Sequence, residues 1–121
     1  FQLLARDSEE FGHFEGLGWV DAHVSRLSPS SESLRVPHVG WDELLQVNDS
    51  PLFKGVPEDA LFYYTHNYVV HTEDPAITIG ECDYGGKFVS AVQSRNIFGT
   101  QFHPEKSQRH GLAVLENFLR L

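Results

Sequence analysis

One short segment of the sequence places an imidazole and a carboxylate at a spacing suited to acid–base chemistry. His103 and Glu105 flank Pro104, and a mainly apolar run precedes them. Because Pro104 prevents a helix from continuing back through this point, we predict that a buried strand delivers His103 at its end. In the following turn the Glu105 carboxylate can hydrogen-bond the imidazole and fix its tautomer, as in the base-and-orienter part of a nucleophilic triad. These three residues alone also fit a solvated loop.

Two other kinds of site are excluded because their partner residues are missing. A zinc deaminase with His-x-Glu needs a later Pro-Cys-x-x-Cys, and a serine hydrolase needs a Gly-x-Ser-x-Gly elbow; the sequence contains neither. The single cysteine, Cys82, excludes an intramolecular disulfide and a zinc site with several thiolates. Cys82 lies between Glu81 and Asp83, whose charges raise the pKa of a thiol, so we predict a small strand residue.

The remaining histidines give no metal-binding pattern. We expect that no histidine among five pairs with an acidic residue four positions away. These five histidines are His13, His23, His38, His71 and His110. We therefore predict neither a metal ion nor another cofactor. For His66 two alternatives stay open, a neutral packed imidazole and a direct role of the ring.

The elements that position these residues follow from the spacing of apolar, aromatic and turn-forming residues. Apolar residues from Leu112 to Leu119 recur at helical spacing and predict an amphipathic helix over residues 108–121. β-Branched and aromatic runs predict strands, which cover residues 17–25, 60–66, 68–71, 77–82, 88–93 and 97–102. Pro37 restricts residues 36–41 to a sheet edge or a turn. Residues 1–6 show a helix-like pattern with no cap before it, so we expect the second part of a larger domain.

Composition and charge describe an acidic globular domain. The 121 residues include 17 Asp and Glu against 9 Lys and Arg, which gives a formal net charge of −8. This excess disfavours a nucleic-acid backbone or an anionic membrane surface as partner, because both bind clustered cations. The length suits one domain at most, and no apolar run approaches the roughly 18 residues that a membrane span needs. We therefore expect a water-soluble cytoplasmic domain.

The residues around His103 resemble a known family. The run Phe-Gly-Thr-Gln-Phe-His-Pro-Glu-Lys-Ser over residues 98–107 resembles the C-terminal signature of class I glutamine amidotransferases. With its Lys-Ser ending it is most similar to the glutaminase subunits of imidazole glycerol phosphate synthase, an enzyme of histidine biosynthesis. Val-Pro-His-Val-Gly-Trp over residues 36–41 and Pro-Leu-Phe-Lys-Gly-Val-Pro over residues 51–57 match the same subfamily. The resemblance covers essentially the whole chain.

The resemblance implies an α/β fold, the three-layer, flavodoxin-like fold of class I glutamine amidotransferases. Residues 1–121 would form the C-terminal part of one such domain. In the family a nucleophilic cysteine sits in a Gly-x-Cys-x-Gly-Met-Gln elbow, and Phe1-Gln2 matches its final Met-Gln. The nucleophile would then precede Phe1 by three positions, on an N-terminal segment, and we expect these 121 residues alone not to hydrolyse glutamine.

The resemblance also implies roles in glutamine hydrolysis. A cysteine thiolate would attack the side-chain amide of glutamine. His103 would protonate the leaving ammonia and then activate water, with Glu105 orienting it. Gln2 and Glu10 match positions that hold the substrate, Glu10 by pairing with the α-ammonium group of glutamine.

Further matches fall on a second substrate contact and on a partner interface. Asn67 and Tyr68 lie at a strand end where the family's backbone holds the substrate carboxylate. In the family the glutaminase docks over the mouth of a (β/α)8 cyclase barrel, and ammonia passes between the subunits without meeting water. Lys106, Trp41 and Tyr63 would face that cyclase, Lys106 by reaching one of its carboxylates and Trp41 as an aromatic anchor.

Two alternatives remain beside this hypothesis. A non-catalytic interaction module would have kept the docking surface without the nucleophile. Another class I amidotransferase would also carry His-x-Glu, although residues 36–41 and Lys106-Ser107 favour the histidine-pathway enzyme.

Overall fold

Ten short strands, four 3₁₀ turns and one α-helix make up this computed structural model, which describes all 121 residues. The strands are β1 (Asp7–Ser8), β2 (Phe14–Glu15), β3 (His23–Arg26), β4 (His38–Glu43), β5 (Leu45–Gln46), β6 (Leu61–His66), β7 (Tyr68–His71), β8 (Thr78–Asp83), β9 (Lys87–Ser94) and β10 (Ile97–Thr100). The helix α1 spans Gln108–Leu119, and the 3₁₀ turns are Gln2–Leu4, Pro51–Phe53, Pro75–Ile77 and Pro104–Lys106. None of the helices combines the length and the apolar character that a membrane span requires.

A main sheet of eight strands carries most of the backbone pairing. Its order is β2-β1-β3-β7-β9-β8-β5, and β10 pairs with a further part of β9. Neighbouring strands are antiparallel except for β1 and β3, which are parallel. Because β10 pairs Ile97 with Ser94 and Thr100 with Ala91, it runs back along β9 and leads the chain to His103.

Strands β4 and β6 form a separate two-stranded sheet. Their antiparallel register places His38 opposite His66 and Trp41 opposite Tyr63. Since side chains alternate between the faces of a strand, the two histidines share the inner face and Trp41 and Tyr63 share the outer face. Strand β4 begins directly after Pro37 and pairs only with β6, as expected for an edge strand.

Two apolar clusters hold these layers together. The larger has fifteen buried residues and joins β6, α1 and one face of the main sheet through residues such as Phe62, Val69 and Val114. The smaller has six buried residues and includes Val70. Val69 and Val70 are neighbours on β7 but belong to different clusters, so the main sheet buries apolar side chains on both faces.

Helix α1 packs closely against the turn that follows His103. A Cβ atom at Gly111 would lie 1.9 Å from the carbonyl oxygen of Pro104, so only glycine permits this approach. The predicted helix is confirmed, although it ends at Leu119. Val114 is buried, whereas Phe118 and Leu119 remain exposed on the apolar side.

The helix expected over residues 1–6 is wrong. Gln2–Leu4 form one 3₁₀ turn, and the backbone then becomes extended. The N–H of Arg6 donates to the Ala22 carbonyl, and the N–H of Gly16 donates to the Arg6 carbonyl. These long-range bonds replace the local bonds of a helix. The N–H groups of Leu17 and Val20 donate to the carbonyls of Leu3 and Leu4 in the same way, and the strand expected over residues 17–25 is reduced to β3.

Candidate active site

His103 and Glu105 form a hydrogen-bonded pair at the surface. Nδ1 of His103 lies 2.8 Å from Oε1 of Glu105, and the side chains are 37% and 57% exposed. Because an ionised carboxylate only accepts, the contact places a hydrogen on Nδ1 and leaves Nε2 as the free nitrogen of a neutral ring. The structure therefore brings the two residues together in the geometry expected of a base and its orienter.

The backbone around His103 is anchored to β6 by Ser107. The N–H of His103 donates to the Tyr63 carbonyl at 2.9 Å, and the Ser107 hydroxyl donates to the His103 carbonyl at 2.6 Å. The same hydroxyl accepts the N–H of Tyr63 at 3.0 Å. In the sequence Ser107 was only part of a family signature, and no local pattern indicated that it would be buried and bridge two elements.

The charge of Glu105 is stabilised by its immediate surroundings. Its own backbone N–H, the His103 imidazole and the charge of Lys106 together lower the pKa of the Glu105 carboxyl. A carboxylate that stays ionised keeps its oxygens available to the imidazole at neutral pH. Because this side chain is largely exposed, the effect contributes little to the stability of the fold.

An open pocket of about 470 Å³ lies beside the first 3₁₀ turn, and both Gln2 and Glu10 line it. The amide nitrogen of Gln2 donates to the Tyr68 carbonyl at 2.9 Å and to Oε1 of Gln101 at 3.1 Å. With both amide hydrogens used, Oε1 of Gln2 remains as an acceptor. Two predicted substrate residues thus share one pocket, and one of them is tied to the strand end before His103.

The predicted residues Asn67 and Tyr68 are placed differently. The Tyr68 carbonyl accepts from Gln2 and also from Nδ1 of His66, each at 2.9 Å. The Asn67 carbonyl accepts the N–H of Leu27 at 2.8 Å, and Asn67 is exposed. Neither residue lines the pocket wall. Tyr68 is therefore connected to the pocket through Gln2, whereas the side chain of Asn67 is not.

A second histidine–carboxylate pair lies on the inner face of β4. Nε2 of His38 lies 2.5 Å from Oδ2 of Asp42, and Nδ1 of His38 lies 2.9 Å from Nε2 of His66. His38 is 1% exposed and Asp42 39%. The expectation that none of the five histidines pairs with an acidic residue four positions away is therefore wrong for His38. Residues separated by an even number of positions share a strand face, and that signal could have identified this pair.

His66 is a neutral, packed imidazole. Burial lowers its pKa to about 4, and the nearby charges of His38 and His103 act in the same direction. The hydrogen bond to the Tyr68 carbonyl only partly opposes this shift. Of the two alternatives from the sequence, the structure favours the packed one.

Cys82 lies close to the buried pair but does not complete a metal site. The ligand atoms of His38, Asp42 and Cys82 lie within 4.8 Å of one another. Burial, with a further contribution from Asp42, raises the pKa of the Cys82 thiol to about 12, so the thiol is protonated at neutral pH. Both nitrogens of His38 also already take part in hydrogen bonds. The donor set does not fit a metal ion, and Cys82 is a buried residue of β8.

Trp41, Tyr63 and Lys106 lie together and form what we call the aromatic–lysine patch. The rings of Trp41 and Tyr63 meet edge to face at a centroid distance of 5.7 Å, and Nζ of Lys106 lies 5.8 Å from the centre of the Tyr63 ring. The indole of Trp41 is 43% exposed. The three residues predicted to face a partner therefore form one continuous surface, directly after the His103–Glu105 turn.

Curated relatives match nearly the whole chain. The imidazole glycerol phosphate synthase subunit HisH of Azospirillum brasilense is 45% identical over 118 residues, covering 98% of this chain and 62% of the relative. The protein of the same name from Neisseria meningitidis serogroup A is 45% identical over 123 residues, with 98% and 58% covered. That from Leptospira interrogans is 43% identical over 122 residues, with 99% and 59% covered. The chain thus spans about three fifths of the length of these relatives.

A solved structure has the same fold. It is described as a putative GMP synthase subunit from Thermoplasma acidophilum, with a TM-score of 0.63 and 20% sequence identity. The match covers 82% of this chain and 47% of the other. At this identity the likeness concerns the fold alone, and it agrees with the α/β architecture expected from the sequence.

The family model for class-I glutamine amidotransferases matches residues 2–121. The match includes the His103–Glu105 pair, the pocket residue Gln2 and the whole aromatic–lysine patch. The resemblance noted in the sequence is thereby confirmed, and the chain belongs to the class-I glutamine amidotransferase family.

Proposed function

We propose that residues 1–121 are the C-terminal part of a single glutamine amidotransferase domain and supply its acid–base half. The observation that carries this proposal is the His103–Glu105 pair, in which Glu105 holds Nδ1 at 2.8 Å and leaves Nε2 without a hydrogen-bond partner. A free Nε2 on an oriented imidazole is what proton transfer to and from a reacting group requires. The whole protein would hydrolyse glutamine to glutamate and ammonia.

In the proposed reaction His103 moves protons twice. Nε2 takes the proton of a cysteine thiol, and the resulting thiolate attacks the side-chain amide carbon of glutamine. The same proton then passes from Nε2 to the leaving nitrogen, so that ammonia departs and a glutamyl thioester remains. Finally Nε2 takes a proton from water as the oxygen attacks the thioester, and it passes this proton to the sulfur as the C–S bond breaks, which releases glutamate and restores the cysteine thiol.

The nucleophile of this reaction must come from outside these 121 residues. Cys82 is the only cysteine present, and a buried thiol with a pKa of about 12 holds almost no thiolate at neutral pH. We propose that the N-terminal segment of the whole protein carries the cysteine, as the family elbow implies. This proposal agrees with the coverage of about three fifths of the relatives' length.

The pocket that Gln2 lines supports the proposed substrate, and the aromatic–lysine patch supports the proposed partner. The pocket that Gln2 and Glu10 line also contains Asp7 and Glu15, and its acidic walls suit the α-ammonium group of glutamine. We propose that the aromatic–lysine patch docks on a (β/α)8 cyclase, and that ammonia passes to this partner for imidazole glycerol phosphate synthesis in histidine biosynthesis. The HisH names of the relatives favour this pathway over that of other amidotransferases.

The test is one assay with two nitrogen donors, carried out on the whole protein with its cyclase subunit. Replacing His103 with Ala should reduce glutamine-dependent turnover by about 10²- to 10⁴-fold, the usual contribution of a positioned acid–base group. Turnover with ammonium salts should persist, because free ammonia bypasses the glutaminase. His71→Ala is the matched control, since His71 lies at the exposed end of β7 and contacts His23 rather than the site.

Two outcomes would count against the proposal, and a third would identify a defective variant. Retained glutamine-dependent turnover in His103→Ala would reject the role of His103. Loss of both activities would point to a defect of folding or docking. A wild-type protein that binds the cyclase but never hydrolyses glutamine would favour the interaction module instead.

A further inference from the structure

The hydrogen bonds around His66 determine where its protons lie. The Tyr68 carbonyl only accepts, so Nδ1 of His66 carries a hydrogen and donates to it at 2.9 Å. In a neutral His66 the other nitrogen, Nε2, then accepts, and Nδ1 of His38 must donate to it at 2.9 Å. The Asp42 carboxylate also accepts, so Nε2 of His38 donates as well. With His66 neutral, the three bonds together need a hydrogen on both nitrogens of His38, which pairs a buried His38 imidazolium with the partly exposed Asp42 carboxylate.

The surroundings of His38 suit a positively charged ring. Tyr84 stacks on the imidazole at a centroid distance of 4.0 Å, and Tyr64 at 5.0 Å, with interplanar angles of 24° and 17°. A cation is attracted to the face of an aromatic ring, and the attraction grows where water is excluded. Asp42 supplies the compensating negative charge. Each hydrogen-bonding atom of the buried imidazoles therefore has a partner of the right kind.

We propose that the His38–Asp42 ion pair locks His66 as its Nδ1–H tautomer, and that His66 is a positioning residue for the Gln2 side of the substrate pocket. The link is the Tyr68 carbonyl, which accepts from His66 and from the amide of Gln2 at the same distance of 2.9 Å. The inference rests on the proposed function, since glutamine is the ligand that Gln2 would hold.

The consequence for the pocket concerns the orientation of one amide group. Gln2 keeps Oε1 free only while its nitrogen donates to Tyr68 and Gln101. If the Tyr68 carbonyl shifts, the amide loses one of its two anchors and can rotate to present its NH₂ group instead. A pocket that offers a donor in place of an acceptor should bind glutamine less tightly. The His103–Glu105 hydrogen bond would remain, because neither side chain makes a hydrogen bond to His66.

Two substitutions of His66 separate positioning from general packing. In His66→Asn the side-chain amide can reproduce the donor at the Nδ1 position, whereas in His66→Gln it reaches only toward the Nε2 position. In the whole protein with its cyclase subunit, His66→Gln should raise the KM for glutamine about 3- to 10-fold, which is the range expected for one lost hydrogen bond. The kcat should stay within about twofold of the wild-type value. His66→Asn should stay within about twofold of the wild-type KM.

Nitrogen-15 NMR of the same proteins gives a readout that does not depend on activity. Histidine side-chain spectra should show His66 protonated on Nδ1 only and His38 protonated on both nitrogens. The side-chain amide signal of Gln2 should move in His66→Gln and stay in place in His66→Asn. A His66 protonated on Nε2, or equal KM values and Gln2 signals in the two variants, would overturn the inference. A wild-type protein without glutaminase activity would reject the proposed function, and the spectra would still decide the inference.

Discussion

The molecule contains two histidine–carboxylate pairs that are chemically alike and differ in their surroundings. His103 and Glu105 lie two residues apart on a turn, and both are substantially exposed. His38 and Asp42 lie four residues apart on a strand, and the imidazole is almost completely buried. The exposed pair leaves one ring nitrogen free, whereas the buried pair uses both. A histidine with a free nitrogen can exchange protons with a reactant, and one whose nitrogens are both bonded can only hold its neighbours in place.

The difference shows that the carboxylate partner alone does not identify a catalytic histidine. In both pairs an acidic oxygen lies within hydrogen-bond distance of the ring. What separates the pairs is the second ring nitrogen, which has no hydrogen-bond partner in His103, whereas in His38 it bonds the ring of His66. We therefore propose that the exposed pair carries out the chemistry and that the buried pair holds neighbouring residues of the site in place.

The largest expected effect is a loss of stability at low pH, caused by the buried His66 beside the His38–Asp42 pair. His66 has a folded pKa of about 4 against 6.5 in the unfolded chain, so the unfolded state binds more protons between these values. The free energy of unfolding should therefore fall as the pH drops from about 6.5 to 4, by about 3 kcal/mol at most. The charges of His38 from β4 and His103 from the turn contribute to the low pKa of His66, so this figure already includes their effect. Urea unfolding of the whole protein at several pH values measures it.

The control for this prediction is His66→Asn, which cannot titrate in that range. Between pH 6.5 and 4, the free energy of unfolding of this variant should fall by about 3 kcal/mol less than that of the wild type. Equal pH profiles for the two proteins would contradict a neutral, buried His66.

The next effect compares the two carboxylates directly. Asp42→Ala leaves a buried imidazole without its counter-charge and should lower the free energy of unfolding by about 2–3 kcal/mol. Glu105→Ala should change it by less than about 0.5 kcal/mol, because exposed pairs contribute little. Asp42→Asn should be the milder variant, since its amide can donate to a neutral His38. Equal losses for Asp42→Ala and Glu105→Ala would remove the distinction between the pairs.

A smaller effect is expected on the chemistry of the exposed pair. Glu105→Gln keeps an acceptor oxygen but loses the charge that polarises His103, so kcat with glutamine should fall about 10-fold, less than for His103→Ala. Stability should not change. Glu116→Gln, on the exposed side of α1, is the matched control in the same kinetic assay. A loss as large as that of His103→Ala would mean that Glu105 takes part in proton transfer itself.

The smallest effects concern the aromatic–lysine patch next to the exposed pair. Trp41→Ala should weaken binding of the cyclase subunit by about 1–2 kcal/mol, and Lys106→Ala by less than about 1 kcal/mol. Trp19→Ala removes another exposed indole away from the patch and should leave binding unchanged. Titration calorimetry with the cyclase subunit measures all three. Finding that Trp41→Ala and Lys106→Ala alter only glutamine affinity would reject the interface.

The sequence predicted what depends on neighbours in the chain. Strand β6, helix α1 and the His103–Glu105 turn follow from alternation, helical spacing and a proline, and each is found close to its expected position. Residues 1–6 show the limit of such patterns, because their backbone bonds go to residues 16–22 and a local periodicity cannot report them. The helix-like spacing was real, but long-range pairing replaced the helix.

The candidate site also combines local contacts, which the sequence predicted, with long-range contacts, which it did not. The contact between His38 and His66 spans 28 residues and depends on the register of β4 on β6, which no local motif specifies. The bond from Gln2 to Tyr68 spans 66 residues, and only the family resemblance suggested that both belong to one site. Ser107 is similar, since its role depends on Tyr63 lying beside the turn. The His103–Glu105 pair was therefore predictable from neighbouring residues, whereas the long-range hydrogen bonds that hold the site in place were not.

The most direct test of these assignments measures kcat with glutamine and the free energy of unfolding for His103→Ala and His38→Ala in the whole protein. We expect His103→Ala to lose about 10²- to 10⁴-fold in kcat with stability within about 0.5 kcal/mol of wild type. His38→Ala should lose about 3 kcal/mol of stability and, under conditions where it is folded, keep kcat within about 10-fold. His38→Gln serves as a second variant if His38→Ala does not fold. The reverse pattern, with stability lost in His103→Ala and kcat lost at unchanged stability in the His38 variants, would contradict the assignment of chemistry to the exposed pair.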